Sequence, residues 1–100
     1  MVVIWTELAK TELKSIYDQI SLESKFYAQK TIETIFESTD KLEQFPEIGR
    51  IVPEIEDPNT REIFVFSYRI IYEIRENNVE IDTIIHGKRD FNTAFKTTEH

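Results

Sequence analysis

The stretch HGKRD, residues 86–90, sets an imidazole, an amine, a guanidinium and a carboxylate side by side. Arg50, Glu54, Arg61 and Arg69 precede it in the chain. Gathered at one corner, such residues could cleave RNA, which needs a base for the 2′-hydroxyl, an acid for the leaving oxygen and fixed cations around the phosphate. Glu54 or His86 could move the protons, and Arg61, Arg69 and Arg89 could hold the charged transition state through bidentate contacts. Without proton chemistry, the same corner is a binding edge for an acidic surface, made of Arg50, Arg61, Arg69, His86, Lys88 and Arg89 with Phe91 beside them. Simpler roles compete at each position. His86 at a strand end serves as a hydrogen-bonded edge residue, and Arg61 with Glu62, or Arg89 with Asp90, as surface ion pairs. One internal histidine without placed carboxylates builds no metal centre, so no metal and no cofactor is expected.

The elements that must position these groups follow from periodicity. Val2–Trp5 is a short β-prone run, and Thr6 is a plausible N-cap for a helix. Ala9, Leu13, Ile16, Tyr17 and Ile20 then form one apolar stripe. Ser21 or Ser24 restarts a second helix, with Ala28, Ile32, Ile35, Phe36, Thr39 and Leu42 on its inner face, running to about residue 44 before Pro46 stops it. Residues 47–60 read as loop, with a short strand near Arg50 to Val52. REIFV (61–65), YRIIYEIR (68–75) and VEIDTIIH (79–86) are β-branched and aromatic and make a meander. An N-terminal αα-hairpin packed on a small, mainly antiparallel sheet is therefore the expected α+β fold, with Trp5 and Phe45 in the core.

The β-hairpin register decides what Arg69 faces. A two-residue type I′ turn at Asn77-Asn78 suits asparagine at positive φ. It puts Arg69 opposite His86, Arg75 opposite Glu80, and Glu73 unfavourably opposite Asp82. Tyr68, Ile70, Tyr72 and Ile74 then meet Gly87, Ile85, Thr83 and Ile81 on the face that the helices cover, and Arg69 points away from that core.

Bulk composition narrows the classes. One hundred residues suit one domain, which buries roughly two-thirds of its unfolded surface; residues 92–100 read as a flexible tail. A net charge of −7 weighs against broad electrostatic binding of nucleic acid. With no cysteine, no long apolar run and no basic leader, a cytoplasmic protein that avoids membranes is expected.

WTELAKTELKSIYDQI, LEQFPEIGRIVPE, REIFVFSYRIIYEI and VEIDTIIHGKRDF, in this order, resemble the RelE/ParE superfamily of type II toxin-antitoxin toxins, also called plasmid stabilisation proteins. The resemblance implies the compact RelE/ParE fold, with a concave functional face beside the C-terminal loop. It also implies a cognate antitoxin, encoded next door, whose C-terminal segment wraps the toxin, in a homodimer or a toxin-antitoxin hetero-oligomer. RelE-like members cut messenger RNA in the ribosomal A site, whereas ParE-like members inhibit DNA gyrase.

REIFVFSYRIIYEI and IIHGKRD look closer to the ParE-like wording. The middle loop has no lysine and Phe91 lacks the hydroxyl of the C-terminal tyrosine usual in RelE-like nucleases. Glu54, Arg61, Arg69, His86 and Arg89 nevertheless fall where some ribosome-dependent nucleases keep their acid-base and arginine set. Phe66-Ser67 departs from the family's usual glycine or asparagine turn. Inhibition of a target such as gyrase is the leading expectation, followed by ribosome-dependent cleavage of messenger RNA and by an inactive homologue that only binds antitoxin.

Overall fold

A computed structural model describes residues 1–86. Its elements are β1 (Val2–Trp5), α1 (Glu7–Ser21), α2 (Lys25–Asp40), a 3₁₀ turn (Lys41–Glu43), β2 (Arg50–Ile51), β3 (Thr60–Val65), β4 (Tyr68–Ile74) and β5 (Asn78–His86). The five strands form one sheet in the order β1-β5-β4-β3-β2, with β1 parallel to β5 and the other pairs antiparallel. No helix among the described residues is long and apolar enough to cross a membrane.

Both helices start where their caps require. The Thr6 hydroxyl accepts from Ala9 N–H at 3.0 Å and donates to the Asp82 carbonyl at 2.9 Å, so one side chain caps α1 and ties it to β5. Ser24 caps α2 by accepting from Tyr27 N–H at 3.2 Å. The helix itself ends at Asp40, earlier than its apolar stripe suggests, because the chain tightens into the 3₁₀ turn that still buries Leu42. Ala9, Ile35 and Leu42 pack on Ile70, Tyr72, Val79, Ile81 and Ile84; each large apolar side chain buried this way contributes about 1.5–3 kcal/mol. Trp5 packs against this core, whereas Phe45 is 60% exposed, contrary to expectation, since it lies beyond the 3₁₀ turn in the crossing to β2.

That crossing is pinned by Tyr72. Its hydroxyl donates to the Pro46 carbonyl at 2.6 Å and accepts from Gly49 N–H at 3.0 Å. A Cβ at position 49 would lie 2.6 Å from both the Glu62 carbonyl and the Tyr72 hydroxyl, so only glycine permits this approach. Burial drives the phenol's pKa upward.

The β4–β5 register differs from expectation. The turn centres on Glu76-Asn77, with Ile74 opposite Val79, and neither asparagine has positive φ. Asn78 belongs to β5 instead, because β1 recruits it opposite Val2. A bulge then places Asp82 as the extra residue between Tyr72–Ile81 and Ile71–Thr83. Glu73 consequently faces Glu80 rather than Asp82, Tyr68 faces His86, and Arg69 faces Ile85. Since a one-residue slip exchanges faces, Ile85 leaves the helix-covered core and joins Val52 and Ile71 in a second cluster. Positive φ occurs at Phe66 instead (54°), in the two-residue turn between β3 and β4, where a side chain costs about 1–2 kcal/mol relative to relaxed backbone.

Candidate functional site

Strict alternation along β3 sends Arg61, Ile63 and Val65 towards the helices and Glu62 and Phe64 to the outer face. Arg69 on β4 shares that outer face, as does Arg50 on β2, which stands opposite Glu62. The Glu62 side chain is fully buried between the two. Arg50 Nε donates to one of its oxygens at 2.5 Å and Arg69 Nε to the other at 2.7 Å. Arg69 Nη1 and Nη2 donate to the two Glu54 oxygens, each at 3.1 Å, in a bidentate pair. Two acids and two bases thus alternate along one chain of contacts. Arg50 also lies over the Phe64 ring, 5.1 Å from its centroid.

This geometry sets the protonation states. The hydrogen bond from Arg69 holds the Glu54 carboxyl below the usual glutamate range, against a smaller opposing effect of burial. Burial alone would lower the Arg69 pKa, but its bonds to Glu54 and Glu62 outweigh that and raise it. Arg69 does point away from the helices, as expected; yet its side chain is only 12% exposed, and it does not stand across from His86.

The other expected members lie elsewhere. Arg61 directs its guanidinium to backbone: Nε to the Pro58 carbonyl at 2.9 Å, and Nη1 to the carbonyls of Glu47 and Gly49 at 3.2 and 3.0 Å. It fastens the loop before β3, and it makes no surface pair with Glu62, which points to the opposite face. His86 stacks edge-on against Tyr68, ring centroids 5.4 Å apart, at a groove beside α1 lined by Glu12, Ser15 and Gln19. Tyr68 itself packs against the helix-covered core, so imidazole and Arg69 guanidinium serve opposite faces of the sheet. Lys88, Arg89 and Phe91 lie outside the described residues, as does the tail 92–100.

Three residues have roles that the sequence did not indicate. Glu62 joins Arg50 and Arg69 and not Arg61, from which alternation along β3 separates it. Glu12, on the polar side of α1, accepts from the Thr83 hydroxyl at 2.6 Å and from Ile84 N–H at 3.0 Å, just past the bulge. Asp82 joins Glu73 and Glu80, with one carboxylate oxygen from each within 4.8 Å of the others. Among the described residues this trio is the set able to hold a cation, and Arg75 already pairs with Glu73 at 2.7 Å and Glu80 at 3.1 Å. Burial, then a hydrogen bond with Glu80 and the charge of Glu73, push the Asp82 carboxyl up to about 8.

A helical hairpin on a mixed five-stranded sheet, with a salt-linked outer face, defines an α+β domain of the RelE/ParE type. The profile described as "ParE toxin of type II toxin-antitoxin system, parDE" matches residues 3–91. The chain belongs to this family of toxins. Among solved structures it is similar to "Chromosomal ParDE TA system from P. aeruginosa", with 25% identity and a TM-score of 0.72, covering 86% of this chain and 95% of that one. No curated protein matches it in sequence.

Proposed function

We propose that this toxin is neutralised by a cognate antitoxin and arrests growth by binding and inhibiting a protein target such as DNA gyrase, without cutting RNA. One observation carries the choice of mechanism: among the described residues, the acid, the arginines and the imidazole needed for cleavage do not meet on one surface. Glu54 and Arg69 are bonded to each other, Arg61 is committed to three backbone carbonyls, and His86 belongs to the other side of the sheet. A general acid or base must come within hydrogen-bond reach of the reacting oxygens, and cations must surround the same phosphate. The charge of −7 adds repulsion from ribosomal RNA.

Binding asks less of the geometry. Arg50 and Phe64, with side chains well exposed on the outer face, supply a cation and an aromatic surface of the kind that anchors protein interfaces. The similarity to a ParDE system supports an antitoxin as one partner. The test is parallel: purified toxin is added to a gyrase supercoiling reaction and to translating ribosomes. Loss of supercoiling with intact message is the expected result. Message cut at codon boundaries with supercoiling unaffected refutes the proposal, and inactivity in both leaves only antitoxin binding.

A further inference from the structure

Glu54 differs from the other members of the outer-face network in how it arrives there. Glu62 comes from the middle of β3 and is fixed by the sheet, its side chain fully buried. Glu54 reaches in from a turn outside the sheet, in which Ile55 N–H and Glu56 N–H both return to the Val52 carbonyl, at 3.1 and 2.9 Å. The next residues carry the strain: Glu56 has φ 60°, a left-handed conformation unfavourable for a side chain. The Glu54 side chain is 30% exposed, against 12% for the arginine it covers.

We propose that the Arg69 fork is a carboxylate-exchange site: Glu54 fills it in the free chain, and an acidic side chain of a docked protein partner replaces Glu54 there. The inference rests on the reading that the toxin works by binding proteins. Exchange of one carboxylate for another keeps every charge on this half-buried face compensated, so the heavy cost of an unpaired buried ion never arises. What changes is the position of a strained surface turn. The fork is already spaced for a planar group with two oxygens, both at 3.1 Å. A phosphate backbone fits less well, because a polyanion meets the repulsion of the whole acidic chain whereas a single side chain meets only its local surroundings. Arg50 and Phe64, beside the fork, would take the rest of the partner's contact.

Chemical rescue tests this. The toxin carrying Glu54→Ala is thermally unfolded beside the unaltered toxin in sodium acetate, chloride and phosphate at matched ionic strength. Acetate supplies the carboxylate that the variant lacks. In acetate on the order of 200 mM, the variant's Tm should exceed its value in chloride by about 2–5 °C. The unaltered toxin, its fork occupied, should show no such difference. Equal responses in the two proteins overturn the assignment. So does a variant that answers phosphate more strongly than acetate after the unaltered toxin's response is subtracted, which would favour a nucleic-acid backbone. If Glu54→Ala does not fold, Glu54→Gln is titrated in the same way, and a smaller acetate-specific rise is expected; its absence has the same meaning as before. Neither gyrase nor RNA enters the measurement, so its failure is separable from failure of the proposed target.

Discussion

The outer face of the sheet carries two charge clusters built on opposite balances. Across β2, β3 and β4, the order Arg50, Glu62, Arg69, Glu54 gives each acid at least one base at 2.5–3.1 Å. Across β4 and β5, three carboxylates share Arg75. The first cluster buries a glutamate side chain completely, between two guanidinium groups. The second cannot keep all its charges, and the pair Glu80 and Asp82 responds by retaining a proton, with the Glu80 pKa lowered and that of Asp82 raised. A half-buried sheet face thus tolerates charge where signs alternate, and discharges it where they repeat.

The largest effect should come from breaking the alternation. Arg69→Ala leaves buried Glu62 with Arg50 alone and Glu54 with no partner at the fork, a loss expected to cost about 3–5 kcal/mol. Urea unfolding at neutral pH measures it. A loss below about 1 kcal/mol would mean that the network is ornamental, like most surface ion pairs. A side chain pointing away from the main core would ordinarily be dispensable for folding; here the carboxylates around Arg69 reverse that expectation. Arg50→Ala is therefore the cleaner probe of target binding, because Arg50 is exposed and Glu62 keeps Arg69.

The crowded end predicts the opposite sign. Asp82 titrates near 3.8 when unfolded and at about 8 when folded, so between these values the folded chain holds a proton that the unfolded chain has released. Stability must then fall as pH rises through that window. Asp82→Asn removes the liability and should stabilise the toxin by about 1–3 kcal/mol above pH 8, with no gain below about pH 4. Thermal unfolding across pH checks both limits. A destabilised variant at high pH would show that the ionised carboxylate is welcome there.

Glu54 gives the mirror image on a smaller scale. Its folded pKa is depressed, so its contribution is complete above the usual glutamate value of 4.5 and disappears as pH falls through the folded value. Glu54→Gln should cost about 1 kcal/mol at pH 7 and nothing once the carboxylate of the unaltered toxin is protonated. A pH-independent cost would assign Glu54 a packing role instead.

What could be read from the sequence was whatever a single element decides. Thr6 and Ser24 mark the helix starts, Ala9, Ile35 and Leu42 the buried stripes, and the alternation in YRIIYEI the inward Ile70 and Tyr72. Decisions taken by two elements together were not legible. β1 pulls Asn78 into β5 and shifts the turn, Thr6 and Glu12 grip the chain on either side of the bulge, and these together move His86 from Arg69 to Tyr68. The candidate site suffered most, because its members come from four separate segments and a slip of one residue changes which face each one serves. Glu62 was half within reach: the sheet period separates it from Arg61, but its place beside Arg69 depends on the β3–β4 register.

The finest test asks which physical cause governs the crowded end. Burial is the leading cause of the Asp82 shift, the hydrogen bond with Glu80 comes next, and the charge of Glu73 follows. Glu73→Gln deletes that third contribution while keeping the side chain's length. It also frees Arg75 to turn wholly to Glu80, with which it already makes a bond of 3.1 Å. If desolvation dominates, the Asp82 midpoint should drop by only about 0.5 pH unit in a carboxyl NMR titration. A drop of roughly two units or more would make like-charge repulsion the governing cause. The contrast between the clusters would then lie in their count of signs alone, with burial secondary.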